Sequence, residues 1–392
     1  MIRSVLSVFL SASCLCVAGL SGAAFSQQTA PDEAASAPLS FPEELILLPE
    51  NVQAEARSGE DAAETVEIPD HLGPVEEAWY RAQVAYIGED WFAARRYAET
   101  AAVGGNVEAA LLSGIMARDG RGGDRDLQAA VGWFRRAADQ GEPVALYQLG
   151  LLARLDDASL DLGEARSWFE RAARGNHIAG MVAYAVELRN SPLPQEQASA
   201  RQWAERAAQQ DSAEGMYQLA RLYDEGIGGA RDADGARVWY LRAAEKGHGE
   251  AAFQAGMMWA DGAGGEADDR EARRWLRVAA ESNYAPAQGQ YGLMLYQGRG
   301  GPALPDDAAY WFERGAQGGD AESQFLYAFV LARGEGVEQD FETAYRWTLA
   351  AATDALGAPV HDRDRDRLQA GLEGALPPDV SARIRAEMGQ AD

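Results

Sequence analysis

A tryptophan returns every 35 or 36 residues along this chain, at Trp133, Trp168, Trp203, Trp239, Trp275, Trp311 and Trp347. Three positions before each stands a small residue: Ala130, Ala165, Ala200, Ala236, Ala272, Ala308 and Ala344. Four positions after each stands another: Ala137, Ala172, Ala207, Ala243, Ala279, Gly315 and Ala351. Positions i, i+3 and i+7 share one face of an α-helix, so each tryptophan marks a helix with the same small–large–small face. A unit this short cannot bury an apolar face alone and must stack on its neighbours, which restricts the fold to an all-α solenoid. On this reading the tryptophans are core residues, held in sockets made by their flanking alanines.

The tryptophan helix is the second of a pair. The first is seen at Ala145-Leu146-Tyr147-Gln148-Leu149-Gly150, at Gly215-Met216-Tyr217-Gln218-Leu219-Ala220 and at Ala251-Ala252-Phe253-Gln254-Ala255-Gly256. One of its columns is always small: Gly114, Gly150, Ala185, Ala220, Gly256, Gly292, Ala328. A mid-helix glycine costs up to about 1 kcal/mol against alanine, so its recurrence signals close helix–helix approach. Gly120, Gly226, Gly262, Gly298 and Gly334 suit the left-handed position after this helix. Gly122, Gly228, Gly264, Gly300 and Gly336 follow two residues later, and Asp124, Asp232, Asp268, Asp306 and Asp340 are placed to cap the next helix. Asp156-Asp157 and Asn190-Ser191-Pro192 replace the Gly-x-Gly loop in the third and fourth repeats, where the period falls to 35 and a local change of curvature is expected. A degenerate first pair, Val75–Ile87 and Trp91–Val103, shares the phase, with Tyr97 in the tryptophan position.

The loop Gly226-Ile227-Gly228-Gly229-Ala230-Arg231-Asp232 and the helix Ala236-Arg237-Val238-Trp239-Tyr240-Leu241-Arg242-Ala243-Ala244-Glu245-Lys246-Gly247-His248 resemble the Sel-one-like repeat family. The 36-residue unit separates them from tetratricopeptide repeats, which run at 34 residues with their tryptophan early in the first helix. The resemblance covers residues 75–355. It implies a right-handed superhelical α/α solenoid of about eight repeats, the first helix of each pair lining the concave face. It also implies an adaptor that holds other proteins, in exported members often a regulator at the cell envelope. Some exported relatives staple each repeat with a disulfide and are linked to β-lactam binding. This chain departs from that branch, because its two cysteines, Cys14 and Cys16, lie in the N-terminal segment.

Four segments are expected. Residues 1–26 read as a secretory signal: Arg3, a mostly apolar stretch from Val5 to Leu20, and the small-x-small site Ala24-Phe25-Ser26. Its removal takes the charge from −26 to −27 and leaves no thiol, disulfide or thiolate metal site. Residues 27–74 hold eleven acidic residues against the single Arg57, together with six prolines, and read as a disordered linker. Within it, Leu39-Ser40-Phe41-Pro42-Glu43-Glu44-Leu45-Ile46-Leu47-Leu48 is an apolar patch that packs on the first repeat or docks elsewhere. Residues 75–355 are the solenoid. Residues 356–392 are two charged capping helices, His361–Leu372 and Pro378–Met388.

So acidic a chain repels phosphate backbones and anionic membranes, which excludes nucleic acid as partner. No stable membrane insertion is expected once the signal is removed. The four histidines, His71, His177, His248 and His361, are scattered and read as structural. No His-Glu-x-x-His, Gly-x-Ser-x-Gly or P-loop motif occurs, so no catalytic residue, cofactor or metal is assigned. Asp362, Asp364, Asp366 and Glu373 have calcium-loop spacing, but Arg367 stands where the loop needs glycine. Candidate partner-binding residues lie in two columns of the first helices: the glutamines Gln148, Gln218, Gln254 and Gln290, and the arginines Arg118, Arg154 and Arg189. Three stacked guanidinium groups can grip a carboxylate-rich segment; the competing reading pairs them with Asp119 and Glu187. The expected function is non-enzymatic: a periplasmic adaptor binding a protein or peptide. The alternative is an envelope enzyme or accessory module acting on cell-wall or β-lactam-like ligands.

Overall fold

The computed structural model describes residues 48, 50–57, 62–155, 163–352 and 363–389. Among these every regular element is an α-helix, twenty in all. Two short ones, α1 (Glu50–Ala56) and α2 (Ala62–Thr65), precede eight helix pairs. Four pairs fall in one compact unit that ends at Gln210: α3 (Pro74–Ile87) with α4 (Trp91–Val103), α5 (Val107–Asp119) with α6 (Leu127–Asp139), α7 (Pro143–Ala153) with α8 (Ala165–Arg174), and α9 (Ile178–Arg189) with α10 (Pro194–Gln209). The unit that resumes at Asp211 holds α11 (Ala213–Glu225) with α12 (Ala233–Glu245), α13 (Gly249–Asp261) with α14 (Asp269–Glu281), α15 (Ala285–Gln297) with α16 (Pro305–Gln317), and α17 (Ala321–Arg333) with α18 (Phe341–Ala350). It closes with α19 (Arg363–Ala375) and α20 (Pro378–Glu387). Within each unit every helix packs on its partner and on the next pair, the arrangement of an α/α solenoid.

The tryptophans are not the centre of the core. Trp275 is buried, but Trp133, Trp168, Trp203, Trp239, Trp311 and Trp347 are only half-buried. The next residue in each repeat lies deepest: Phe134, Phe169, Ala204, Tyr240, Leu276, Phe312 and Thr348 are at most 5% exposed. The small column of the first helix exists to receive these side chains. A methyl group on Gly114 would meet the Phe134 ring at 2.5 Å; on Gly256 it would meet Leu276, and on Gly292 Phe312, each at 2.8 Å. Where the column carries alanine at Ala185 and Ala328, the facing residue shrinks to Ala204 and Thr348. Glycine and a large side chain thus trade volume in most pairs, as close packing requires; the pair of Ala220 and the buried Tyr240 departs from the trade.

The first loop glycines meet the expectation of a left-handed backbone. Gly120, Gly226, Gly262, Gly298 and Gly334 have φ between 69° and 72°. The second glycines are left-handed as well, and Gly122, Gly264, Gly300 and Gly336 touch the preceding repeat: a Cβ on Gly264 would lie 2.5 Å from the Ala233 carbonyl, and one on Gly300 would overlap that of Asp269. Six residues after the first glycine, the chain donates its N–H back to the first helix, as in Asp126 to Ala117, Asp232 to Tyr223, Asp268 to Trp259 and Asp340 to Leu331. Those same aspartates cap the second helix. Two of the capping expectations are corrected. Asp126, not Asp124, caps α6, and Leu304 stands at the cap position of α16, leaving Asp306 in its first turn. The Asn190 turn closes without glycine: the Ser191 hydroxyl accepts from the Leu193 N–H, and Pro194 opens α10. Asp156 and Asp157 lie outside the described residues.

Part of the segment expected to be disordered is helical. Ala56 on α1 and Ala63 on α2 are each 2% exposed, and both helices pack on α3. Arg81 of α3 donates to the Ala63 carbonyl (2.6 Å), and Arg96 of α4 pairs with Glu64. Alanine-rich turns thus find a buried face that their acidic composition concealed. Leu48 is buried; residues 1–47, which include the signal expectation and most of the apolar patch, lie outside the described residues. The final two helices run over Arg363–Ala375 and Pro378–Glu387, with His361 and Asp362 outside the described residues.

Candidate functional site

The candidate residues sit on the first helix of a pair, except Arg154, which caps the end of α7. The arginine column is engaged by its own neighbours. Arg118, at the end of α5, makes a forked contact with Asp119 (2.6 and 3.0 Å) and donates to Gln148 on α7 (2.6 Å). Arg154 donates through Nε and an η nitrogen to Glu187 on α9 (3.1 and 2.9 Å) and lies 4.7 Å from the centre of the Phe169 ring. Arg189 is half-buried in the last turn of α9. The first two guanidiniums therefore tie one pair to the next, Arg118 through Gln148 and Arg154 through Glu187, and both hold a carboxylate that the competing sequence reading named.

The glutamine column divides. Gln148 and Gln218 are buried, at 1% and 6% exposure. Gln148 accepts from Arg118, and Gln218 donates to Glu214 (2.8 Å). Gln254 and Gln290 are half-buried and present part of their surface to solvent.

The histidines carry a signal that sequence reading caught only as structural. His177 is the cap of α9: its Nδ1 accepts the Gly180 N–H (3.0 Å) while its ring packs on Tyr147, centroids 4.9 Å apart. Burial pushes its pKa down to about 4. His248 caps α13 in the same way, accepting from the Ala251 N–H (3.1 Å). With Nδ1 accepting, the neutral ring carries its proton on Nε2, which reaches Glu214 across the pair (2.9 Å). The ring stacks on Tyr217 at 4.5 Å, and the Tyr217 hydroxyl is bonded to Glu250. Burial opposes ionisation of Glu214, but the His248 and Gln218 bonds outweigh it and hold its carboxyl below the usual value. Burial, with the Glu250 charge beside it, pushes the Tyr217 phenol well above its ordinary value.

This cluster has the residue types of an acid–base site but not the geometry. Both nitrogens of His248 are consumed, one by the helix cap and one by Glu214, so none faces a substrate. It is an interhelical joint. No group of three or more metal-ligating side chains converges among the described residues, and no described helix is long and apolar enough to cross a membrane.

A second joint recurs where the second helix of one pair hands over to the next. The backbone is left-handed there in seven repeats, at Gly105, Gly141, Asn176, Asp211, Gly247, Asn283 and Gly319. Where the residue is not glycine, its side chain reaches the end of the following second helix: Asn176 bonds to Gln210, Asp211 to Lys246 and Asn283 to Arg314. A non-glycine residue pays a conformational penalty in this region, offset here by a bond between repeats.

Seven segments of the chain match the Sel1 repeat family, at residues 107–142, 143–177, 179–212, 213–248, 249–284, 285–320 and 321–354. The structure is similar to that of c5321, a protective antigen of uropathogenic Escherichia coli with an SLR fold. The TM-score is 0.65 at 23% identity, covering 80% of this chain and 72% of that one. It is also similar to a Sel1 repeat protein from Oxalobacter formigenes, with a TM-score of 0.60 at 24% identity over 85% of this chain and all of that one. No curated protein matches the sequence. The matched segments coincide with the pairs from α5/α6 to α17/α18, leaving only the degenerate first pair outside, and the chain belongs to the Sel1 repeat family.

Proposed function

We propose that this protein is an exported, non-enzymatic adaptor of the cell envelope that binds a partner protein. Sel1 repeat proteins are generally protein-interaction scaffolds, and this one repeats a single helix-pair surface through seven matched units. The observation that carries the reading is where the chemistry of the chain goes. Arg118, Arg154, Glu187, Glu214 and His248 are spent on joints between repeats. What remains for a partner is a row of side chains at a fixed spacing, including the half-exposed Gln254 and Gln290. Such a row suits an extended or helical protein segment better than one small molecule.

The test is crosslinking in intact cells. A photoreactive residue is placed at Gln254 or Gln290, and the tagged full chain is recovered with its adducts for mass spectrometry. One protein enriched at both positions is the expected result. Recovery of cell-wall fragments without a protein would transfer the reading to an accessory of wall chemistry.

A further inference from the structure

In the unit that ends at Gln210, a cleft of about 430 Å³ opens where α8 hands over to α9 and α10 runs alongside. Its floor is apolar: Ala173 and Met181 are buried, and Trp203 is half-buried with its ring edge on Tyr184 at 5.9 Å. Its rim carries Arg174, Asn176, Arg206, Gln209 and Gln210. The lining thus offers two guanidiniums and three amides but no carboxylate, in a chain whose net charge is −26.

Arg206 recurs in other repeats, as Arg136, Arg171, Arg242 and Arg314, but the second cation of the lining is peculiar to this one. Six residues after the tryptophan, the other repeats carry Asp139, Gln209, Glu245, Glu281, Gln317 and Thr353; here the position is Arg174. Arg174 is 71% exposed and holds Glu170 on its own helix (2.6 Å). So exposed an i,i+4 pair contributes little, and the guanidinium can turn to another carboxylate at small cost. Arg206 lies over the Trp203 ring at 4.6 Å, which fixes its position above the floor. Gln210 donates to Asn176 (3.2 Å) and touches the Met181 sulfur (3.6 Å), closing one end.

We propose that this cleft receives a carboxylate-bearing segment of the partner protein: a glutamate or aspartate side chain held between Arg174 and Arg206, with an adjacent apolar side chain on Trp203 and Met181. The inference rests on the adaptor reading and names the partner chemistry for one place on it. Forked guanidinium–carboxylate pairing supplies the specificity, and the tryptophan floor supplies buried area. A cleft of this volume takes one or two side chains.

The test uses the full chain labelled with 5-fluorotryptophan, the Trp203 signal being assigned by Trp203→Phe. The probes are N-acetyl-Leu-Glu-Leu-amide and its neutral counterpart N-acetyl-Leu-Gln-Leu-amide, each titrated to about 10 mM, a range that detects millimolar binding. The glutamate peptide should shift the Trp203 signal saturably, and the glutamine peptide should bind about tenfold more weakly. Arg174→Gln with Arg206→Gln should abolish the difference while the other fluorotryptophan signals stay in place. No saturable shift at Trp203, or equal shifts with both peptides, would overturn the assignment. The same double variant in the crosslinking experiment separates the two readings. Undiminished partner recovery leaves the adaptor standing and removes the cleft from it.

Discussion

At the scale of the residue, the fold turns on which side chain each glycine faces. Gly150 lies on α7 with the Phe169 ring against the space a Cβ would fill, whereas nothing lies within 4 Å of that space at Gly132 on α6. Alanine raises helix propensity by about 1 kcal/mol at either site. At Gly132 that gain stands alone, so Gly132→Ala should raise the thermal midpoint. At Gly150 the added methyl must displace a fully buried ring, at about 1–3 kcal/mol, so Gly150→Ala should lower it. Thermal unfolding followed by circular dichroism decides the matter; two shifts of the same sign would show that propensity, not the Phe169 socket, governs the column. The sequence made the small column visible as a close helix–helix approach, but it placed tryptophan, not the residue after it, at the centre of the core. Period alone draws attention to tryptophan because it recurs without variation, while its neighbour changes among Phe, Ala, Tyr, Leu and Thr. Yet the varying position is the core one, since its side chain is nearly fully buried in every repeat. The half-exposed tryptophans are instead covered by arginines on their own helix, as Arg136, Arg171, Arg206 and Arg242 lie 4.5–5.3 Å from the rings of Trp133, Trp168, Trp203 and Trp239.

At the scale of the element, helix starts carry a pH dependence. Neutral His177 holds its proton on Nε2 and offers Nδ1 to the Gly180 N–H, so protonation must occur at the capping atom and break the cap. Its pKa is depressed from 6.5 to about 4, so the unfolded chain takes up the proton first. The stability this residue contributes is complete above pH 6.5 and is lost as the pH falls toward 4, by an amount of order 2 kcal/mol. His177→Asn keeps a capping oxygen and does not titrate. Urea midpoints at pH 7.5 and 4.5 should therefore fall less in this variant than in the parent. Equal falls would place the acid sensitivity elsewhere. Loops and helix ends were the most legible part of the chain, because left-handed backbone demands glycine and first-turn N–H groups demand acceptors. The misplaced caps at Asp124 and Asp306 came from counting acidic residues rather than spacing. The cap stands six residues after the first glycine, at Asp126, Asp232, Asp268, Leu304 and Asp340. The candidate arginine column was legible as a pattern only. Whether Arg154 faces a partner or Glu187 depends on side-chain reach between repeats, which no single helix encodes.

At the scale of the molecule, a chain of stacked pairs must end somewhere, and its last apolar face needs a cover. Strong charge pointed to such a cover at the C-terminal end, while an acidic, proline-rich stretch concealed α1 and α2. The C-terminal cover is α19 and α20. Leu372 and Ile384 are fully buried in the same cluster as Phe325, Tyr345 and Leu349, and Leu368 is nearly so. Arg365 donates to the Ala321 and Ala351 carbonyls (3.0 and 2.9 Å), and Arg383 reaches Glu342 on α18 (3.0 Å). The exposed ion pairs add little; the leucines hold the cover in place. Leu372→Asp buries a carboxylate without a partner, and several kcal/mol of desolvation is more than this short helix pair can absorb. The cover should therefore detach as a unit, exposing the Tyr345 and Leu349 face of α18. Because each pair contacts mainly its neighbours, the damage should fade with distance along the unit. Hydrogen exchange should lose protection in α17–α20 of the Leu372→Asp protein while α11–α14 retain theirs, and a hydrophobic dye should bind the variant but not the parent. Uniform loss from α11 to α20 would mean that this unit unfolds as one cooperative block, and that its capping helices stabilise every repeat in it.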